Sequence, residues 1–317
     1  MGMNGLLLRF YYIKYMTKHI WYKSYHETHP KWRPQKVIGK VVPSVQYNSD
    51  ILGAFIDSRK PFSLFRPGNG ETSAVYEWLE HKMFCTNRYK RQGVFSITCD
   101  GDYDIFEKWC SVFLEDLGQC DLFYLLGIPS YMEHFLIKSF CDKNVYVGNY
   151  LYGTWDQTIQ NHWINKLGGK KVLFISPFAD TMKSQWERYD RVCGNFRCLP
   201  LDIQPLFMKS VWYSSIYKEF DCWFDALDCL KQRVHGYDFD ICLISCGPFS
   251  TFLAAEVKRM GKQAIQYGGE MQLLFGIMGS RWEGTFFEYE YMNEYWVRPS
   301  DDEKVGDYKK LENAAYW

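Results

Sequence analysis

The fold is decided by residues 240–270, which read DICLISCGPFSTFLAAEVKRMGKQAIQYGGE. A short apolar run at 240–245 predicts a buried strand, the spacing of apolar residues over 251–260 predicts a helix, and residues 263–266 predict the next strand. The order strand, helix, strand is typical of a βαβ unit, in which the two strands lie parallel in one sheet.

The same alternation extends through the chain from residue 51 onward. Further strands are predicted at 63–66, 94–97, 122–127, 145–147, 170–177 and 199–203. Further helices are predicted at 71–84, 104–117, 132–141, from about Asp180, and at 220–234. The sequence therefore predicts an α/β protein with a Rossmann-like, mostly parallel sheet and helices on both faces, formed by residues 51–317 as one domain.

Residues 1–50 form a separate segment of different composition. Its first forty residues contain a single acid, Glu27, and many aromatic side chains among eight basic ones: Arg9, Lys14, Lys18, Lys23, Lys31, Arg33, Lys36 and Lys40. A basic, aromatic helix of this kind can lie on a membrane surface, or it can pack its rings on the domain and leave the lysines in solvent. Pro30, Pro34 and Pro43 then end the helix, and the residues up to Asp50 are interpreted as a connector.

Composition excludes several classes of protein. With 47% hydrophobic and 23% charged residues, the 317-residue chain is neither disordered nor collagen-like. The 37 basic and 37 acidic residues balance, so we expect no nucleic-acid partner. The 11 cysteines include no CxxC pair, which favours reduced thiols in a cytoplasm. The aromatic content of 19% fits either an aromatic core or stacking platforms for sugars or bases.

Ligands of an open parallel sheet bind beyond the carboxyl ends of the strands, and the loop RPGNGE at 66–71 lies at such an end. Its glycines allow close approach of a ligand, and the following helix N-terminus favours an anion such as phosphate. Arg66 could clamp a phosphate, and Glu71 could hold a metal or take a proton. Alternatively, the loop is a helix-capping turn in which Glu71 complements the helix dipole and pairs with Arg66.

Three other loops leave the predicted sheet at the same edge, at residues 176–181, 246–251 and 267–270. The amides after Gly247 open a helix and would point at an anion. Gly268 and Gly269 would allow close ligand contact, and Glu270 provides a second carboxylate, either as a catalytic base or as a helix cap. The loop at 176–181 is more simply explained as a capped turn.

These stretches resemble the GT-D type of bacterial glycosyltransferases, a family first catalogued as a domain of unknown function. The resemblance is carried by RPGNGE at 66–71 and CGPFSTFLAAEVKRMGKQAIQYGGEMQLLFGIMGSRW at 246–282, with KKVLFISPFADT at 170–181 and WVRPSDDE at 296–303. It implies a Rossmann-like enzyme that transfers a sugar from a nucleotide donor to a surface glycan or glycoconjugate. The family's first loop reads R-x-G-D-G-E, and its Asp and Glu form a metal motif.

The chain departs from that motif at Asn69, which stands where the family has Asp. A neutral amide can coordinate Mn²⁺ or Mg²⁺ but neutralises less charge, so either Asn69 and Glu71 are the metal ligands or Glu71 acts without a metal. In the mechanism that we expect from these residues, Glu71, Arg66 and Glu270 are catalytic, with Glu270 as base unless it only caps the helix that follows. The residues expected to bind the donor are Gly68, Asn69, Gly70, Gly247, Pro248, Ser250, Tyr267, Gly268, Gly269, Arg281 and Trp282. Tyr267 and Trp282 would stack on a base or sugar, or else belong to the core.

We therefore expect a nucleotide-sugar-dependent hexosyltransferase whose partners are a nucleotide-sugar donor and a glycan or lipid-linked glycan acceptor. A non-catalytic nucleotide- or glycan-binding protein on the same fold is the alternative, kept open by Asn69. A methyltransferase is disfavoured, because its expected glycine loop should follow the first strand with an acid on the second strand. We expect a cytoplasmic protein, with the inner face of the cell membrane, reached through the basic N-terminus, as the more specific location.

Overall fold

A computed structural model describes residues 5–28, 36–37, 40–41, 43–125, 131–149, 157–194, 198–214, 219–306, 308–310 and 312–317. Its main feature is a seven-stranded sheet in which every pairing is parallel. The strands are β3 Phe62–Phe65, β4 Leu122–Leu125, β5 Tyr146–Asn149, β6 Lys171–Ser176, β7 Gln204–Lys209, β8 Ile241–Ile244 and β9 Gln263–Gln266. A short antiparallel pair, β1 Lys36–Val37 and β2 Lys40–Val41, lies outside this sheet. The predicted Rossmann-like α/β class is confirmed.

The strand order is β5-β4-β3-β9-β8-β6-β7. From β3 the chain moves outward through β4 to β5, whereas the later strands lead inward to β9, which pairs with β3. The chain therefore continues in different directions from β3 and β9, although the ends of these two strands lie side by side, at a topological switch point. In open α/β sheets, the crevice at such a point is where ligands bind.

Two apolar layers cover the two faces of the sheet. In β6, Leu173 and Ile175 face one layer and Val172 and Phe174 face the other, as the period of two in a strand requires. The helices of the first layer are α1 Gly5–Thr28, α3 Asn69–Phe84, α4 Tyr103–Leu117, α5 Tyr131–Phe140, α8 Trp223–His235 and α9 Ser250–Arg259. Those of the second layer are α2 Val45–Asp57, α6 Ala179–Trp186, α7 Tyr189–Val192 and α10 Met271–Leu274; α11 Phe286–Tyr291 lies beyond them.

Three predicted elements are wrong. Residues Val94–Thr98 form one turn of π-helix that packs on α4. The apolar run is so short that its pattern fits a strand and a helical turn equally well. The strand expected at 199–203 begins only at Gln204, after a turn, and its Pro205 is tolerated because β7 is an edge strand. The expected connector up to Asp50 instead becomes α2, which Ser44 caps. The part of the strand predicted at 126–127 lies outside the described residues.

The predicted N-terminal helix is present as α1. Tyr12 and Tyr15 are its buried side chains and pack on α3 and α5. No described helix is long and apolar enough to cross a membrane. The expectation of reduced thiols is wrong for one pair, because Cys193 and Cys198 form a disulfide with their Cα atoms 5.9 Å apart.

Candidate functional site

The candidate site lies where the loops after β3 and β9 meet. The side-chain Oε1 of Gln266, the last residue of β9, accepts a hydrogen bond from the backbone N–H of Arg66 at 2.9 Å. The same oxygen accepts from the hydroxyl of Thr251 in the first turn of α9 at 3.1 Å. One buried glutamine therefore ties together three of the four segments expected at this edge.

The side chain of Arg66 reaches across to the β9 loop. Its Nη1 donates to the carbonyl of Tyr267 and lies against Gly268, which has a φ of +84°. A Cβ on Gly268 would stand 2.6 Å from Nη1. A glycine is therefore needed here for two reasons: the left-handed backbone and the close approach of the guanidinium.

The electrostatic partner of Arg66 is Glu270. Burial lowers the pKa of the Arg66 guanidinium, and the nearby Glu270 carboxylate opposes that shift. A guanidinium stays charged in proteins even when its pKa is lowered. The site thus holds a fixed, partly dehydrated guanidinium with a carboxylate beside it. Glu270 itself is half-buried, with its Oε2 shielded from solvent.

Glu71 occupies a different place from Glu270. It is the third residue of α3, whose N-cap is Gly68, and its carboxylate folds back so closely that a Cβ on Gly68 would overlap it. This is the position from which a glutamate reaches the N-cap amide in a capping box. The geometry matches the helix-capping alternative for this loop, with the difference that Arg66 is directed at the β9 loop.

Asn69 and Glu71 do not form a metal site by themselves. The side chain of Asn69 is exposed at the first position of α3, and the Glu71 carboxylate lies against the N-cap, Gly68. Among the described residues, no group of three or more His, Cys, Asp or Glu side chains could hold a metal ion. The side chains of Asn69 and Glu71 therefore do not fit the family's Asp-and-Glu metal motif.

A second guanidinium lies beside the neighbouring glycine. A Cβ on Gly269 would stand 3.3 Å from Nη1 of Arg281 and 3.2 Å from the ring of Tyr316. Arg281 lies over the Tyr316 ring at 4.2 Å. Tyr316 is held by its backbone, since its carbonyl accepts from the side-chain amide of Gln272 at 3.0 Å. The exposed Arg281 is thus oriented toward the site by an aromatic platform.

The loop after β8 provides backbone more than side chains. Gly247 is exposed with a φ of +56°, and Pro248 follows it in a short 3₁₀ turn that leads into α9. The hydroxyl of Ser250 accepts from the amide of Cys246 at 3.0 Å, so Ser250 stabilises the turn. This hydroxyl is buried and engaged within the protein, which makes the exposed amide of Gly247 the better ligand contact.

The two rings expected to stack on the donor belong to the core. Tyr267 is fully buried in the second apolar layer, where it lies 6.2 Å from Trp163 between ring centroids. Trp282 is also buried in that layer. Both rings therefore belong to the core, which was the alternative expectation. The aromatic ring beside the candidate site is that of Tyr316.

The loop after β6 already has an internal anion. The carboxylate of Glu303 accepts from the backbone amides of Asp180 at 2.9 Å and Thr181 at 3.2 Å, and also from the Thr181 hydroxyl. The N-cap of α6 is Phe178, and the helix begins at Ala179, one position before the start expected near Asp180. Because Glu303 covers these amides, the α6 N-terminus is a packed structural contact.

Sequence reasoning missed three residues that build this region, namely Gln266, Tyr316 and Glu303. Gln266 ends a predicted strand, and a buried glutamine there was a usable signal, because buried amides need partners. Tyr316 and Glu303 contact loops that are distant in the sequence, and no spacing indicates such contacts. Comparison of the chain with protein-family models, curated proteins and solved structures finds no match.

Proposed function

We propose that this protein is a glycosyltransferase that binds a nucleotide-sugar donor at the switch point between β3 and β9. The observation that supports this best is the pair of guanidiniums, from Arg66 and Arg281, that lie against the adjacent glycines Gly268 and Gly269. Two forked cations beside half-buried glycine backbone suit the two phosphates of a nucleoside diphosphate. The motif resemblance to the GT-D family supports the same assignment.

Binding would stabilise the charge that develops on the leaving diphosphate. The acceptor hydroxyl oxygen attacks the anomeric carbon of the donor sugar, and the bond from that carbon to the diphosphate oxygen breaks. The electron pair stays on the diphosphate, where Arg66 and Arg281 offset the negative charge. Glu270 is the proposed base that takes the hydroxyl proton, because its half-buried carboxylate lies next to Arg66 in the loop after β9. Glu71 is proposed to position the donor loop by holding the start of α3.

The first test is a thermal-shift screen of the purified protein with UDP-, GDP-, CMP- and dTDP-sugars, each with and without Mn²⁺. A ligand that binds the folded state raises the melting temperature. We expect a shift with one nucleotide family, followed by slow donor hydrolysis in the same samples. Absence of a shift with every donor, also in the presence of simple glycan acceptors, would count against the proposal.

A second candidate is a non-catalytic nucleotide- or glycan-binding protein, which the engagement of Glu71 at the N-cap favours. The variants Glu270→Gln and Glu71→Gln separate the two candidates. An enzyme should lose donor turnover with Glu270→Gln and keep its donor affinity. A binding protein should show no turnover above the buffer rate before either substitution. Asn69→Asp, which restores the family motif, should strengthen any Mn²⁺ dependence if that loop contacts the metal.

A further inference from the structure

Helix α1 has an inner face that explains its position on the protein. The ring of Tyr12 stacks on Tyr76 of α3 with centroids 4.7 Å apart, and it meets Phe135 of α5 edge-on at 5.7 Å. Tyr15 is also buried and contacts the same phenylalanine. These contacts hold the helix on the domain and fix which side of it faces outward.

The opposite side of α1 is apolar as well. On this side the exposed hydrophobic side chains and their exposed fractions are Leu6 78%, Phe10 60%, Ile13 49%, Ile20 58% and Trp21 55%; by helical geometry Leu7, at 44%, lies beside this row, toward Lys14. Steps of four, three and seven residues place the first four on one stripe of a helix. A single exposed apolar residue is ordinary, but a row of this length on one helix face indicates an interaction surface.

Basic residues border this stripe. By helical geometry Arg9 lies along one edge, and Lys14 and Lys18 lie along the other; all three are exposed. The only acid in the sequence of the helix is Glu27, close to its end. We call these residues together the α1 outer face: the five apolar side chains given above, with Arg9, Lys14 and Lys18.

We infer that the α1 outer face docks on an anionic lipid bilayer surface. A helix that lies in the bilayer interface buries an apolar stripe among the acyl chains while its flanking cations meet anionic headgroups. Trp21, which stacks on Tyr25 at 5.2 Å, supplies aromatic rings of the kind that favour this interface. A symmetric dimer through this face would bring the cations of two copies together, which opposes a second copy as the occupant. The inference does not depend on the proposed function.

The test is co-sedimentation of the full chain with vesicles of phosphatidylcholine alone and of equal parts phosphatidylcholine and phosphatidylglycerol. We expect binding to the anionic vesicles that weakens as salt is raised, and little binding to neutral vesicles. Replacing both Phe10 and Ile13 by serine should lower the partition coefficient by about tenfold or more. Replacing both Lys14 and Lys18 by glutamine should lower it by roughly tenfold or more.

Matched controls come from exposed positions elsewhere on the protein. Phe286→Ser removes an exposed ring from α11, and Lys183→Gln removes an exposed cation from α6; both should bind vesicles like the parent chain. The Phe10, Ile13, Phe286 and Lys183 side chains are exposed, so their variants should melt at the parental temperature. The double lysine variant also loses the contact of Lys18 with the Tyr15 ring, at 5.7 Å, and should melt slightly lower. Equal binding to neutral and anionic vesicles, or no binding to either, would overturn the inference. So would a concentration-dependent dimer in sedimentation velocity that the Phe10 and Ile13 substitutions abolish while vesicle binding stays absent.

Discussion

The guanidinium of Arg66 fills the space that a side chain on Gly268 would need. Nη1 would be 2.6 Å from a Cβ at that position, and the backbone there has a φ of +84°. The end of β3 and the loop after β9 are therefore shaped to fit each other, and the glycine serves the arginine as much as the turn. This match gives the candidate site its fixed positive charge.

The contact makes Gly268→Ala more costly than glycine strain alone. Alanine at a left-handed position costs about 1–2 kcal/mol, and at 268 the methyl group must also displace Arg66. Gly261→Ala is the control, because Gly261 has a φ of +79° and no heavy atom near the place of its Cβ. Urea unfolding of both variants should show a clearly larger loss for Gly268→Ala. Equal losses would mean that Arg66 moves aside freely.

Arg281→Gln tests the second guanidinium. If Arg281 contacts a donor phosphate, its removal should weaken nucleoside diphosphate binding about tenfold, which corresponds to one charge-assisted hydrogen bond. The melting temperature should not change, because Arg281 is exposed. The matched control is Arg191→Gln, another exposed arginine over an aromatic ring, Tyr295, at 5.9 Å. Titration calorimetry with the nucleotide found in the thermal screen measures the affinity of both variants. A similar loss of affinity in the two variants would contradict the assignment.

The sequence contains enough information to predict where such a site should lie. Strand-to-helix alternation located β3, β8 and β9, and parallel strands end at one edge, so the loops at 66–71 and 267–270 were expected near each other. What could not be predicted is which side chains meet there. The pairing of β3 with β9 joins segments from opposite ends of the domain, and only that pairing directs Arg66 to Tyr267 and Gly268.

The side-chain contacts of the segment from residue 296 onward could not be predicted from the sequence either. Its sequence WVRPSDDE indicates a polar turn, and nothing local predicts that Glu303 is buried against the start of α6. Tyr316 likewise reaches Arg281 through a tertiary contact. Local pattern predicts elements and their ends, because it follows from backbone geometry. Contacts between distant loops depend on how whole layers pack, and a single sequence does not display that.

Glu303→Ala should destabilise the protein by about 1–3 kcal/mol, because two amides and a hydroxyl at the start of α6 lose a buried charged acceptor. Glu303→Gln keeps one acceptor oxygen and should lose less. Asp302→Asn changes the exposed neighbouring acid and should be neutral within error. Thermal unfolding of the three variants gives the order of their stability losses. A loss for Asp302→Asn as large as that for Glu303→Ala would contradict the specific role of Glu303.

His134 should make the packing of α1 on α5 sensitive to acid. Burial lowers the pKa of His134 from 6.5 to about 4, and Lys18 adds to that shift; the ring meets Tyr15 of α1 edge-on. The unfolded chain therefore takes up the proton first as the pH falls. The stability that neutral His134 contributes is complete above pH 6.5 and is lost as the pH falls toward 4, by about 2 kcal/mol at pH 5.

Urea unfolding at pH 7 and pH 5 measures this loss. His134→Gln should have a smaller difference between the two pH values, because glutamine does not titrate. His235→Gln is the control, since His235 is exposed and pairs with Glu256 at 2.9 Å, so the loss from His134 should persist in that variant. If His134→Gln lost as much stability between pH 7 and pH 5 as the parent chain, another group would be responsible. If both histidine variants had the smaller difference, the effect would not be specific to the α1 contact.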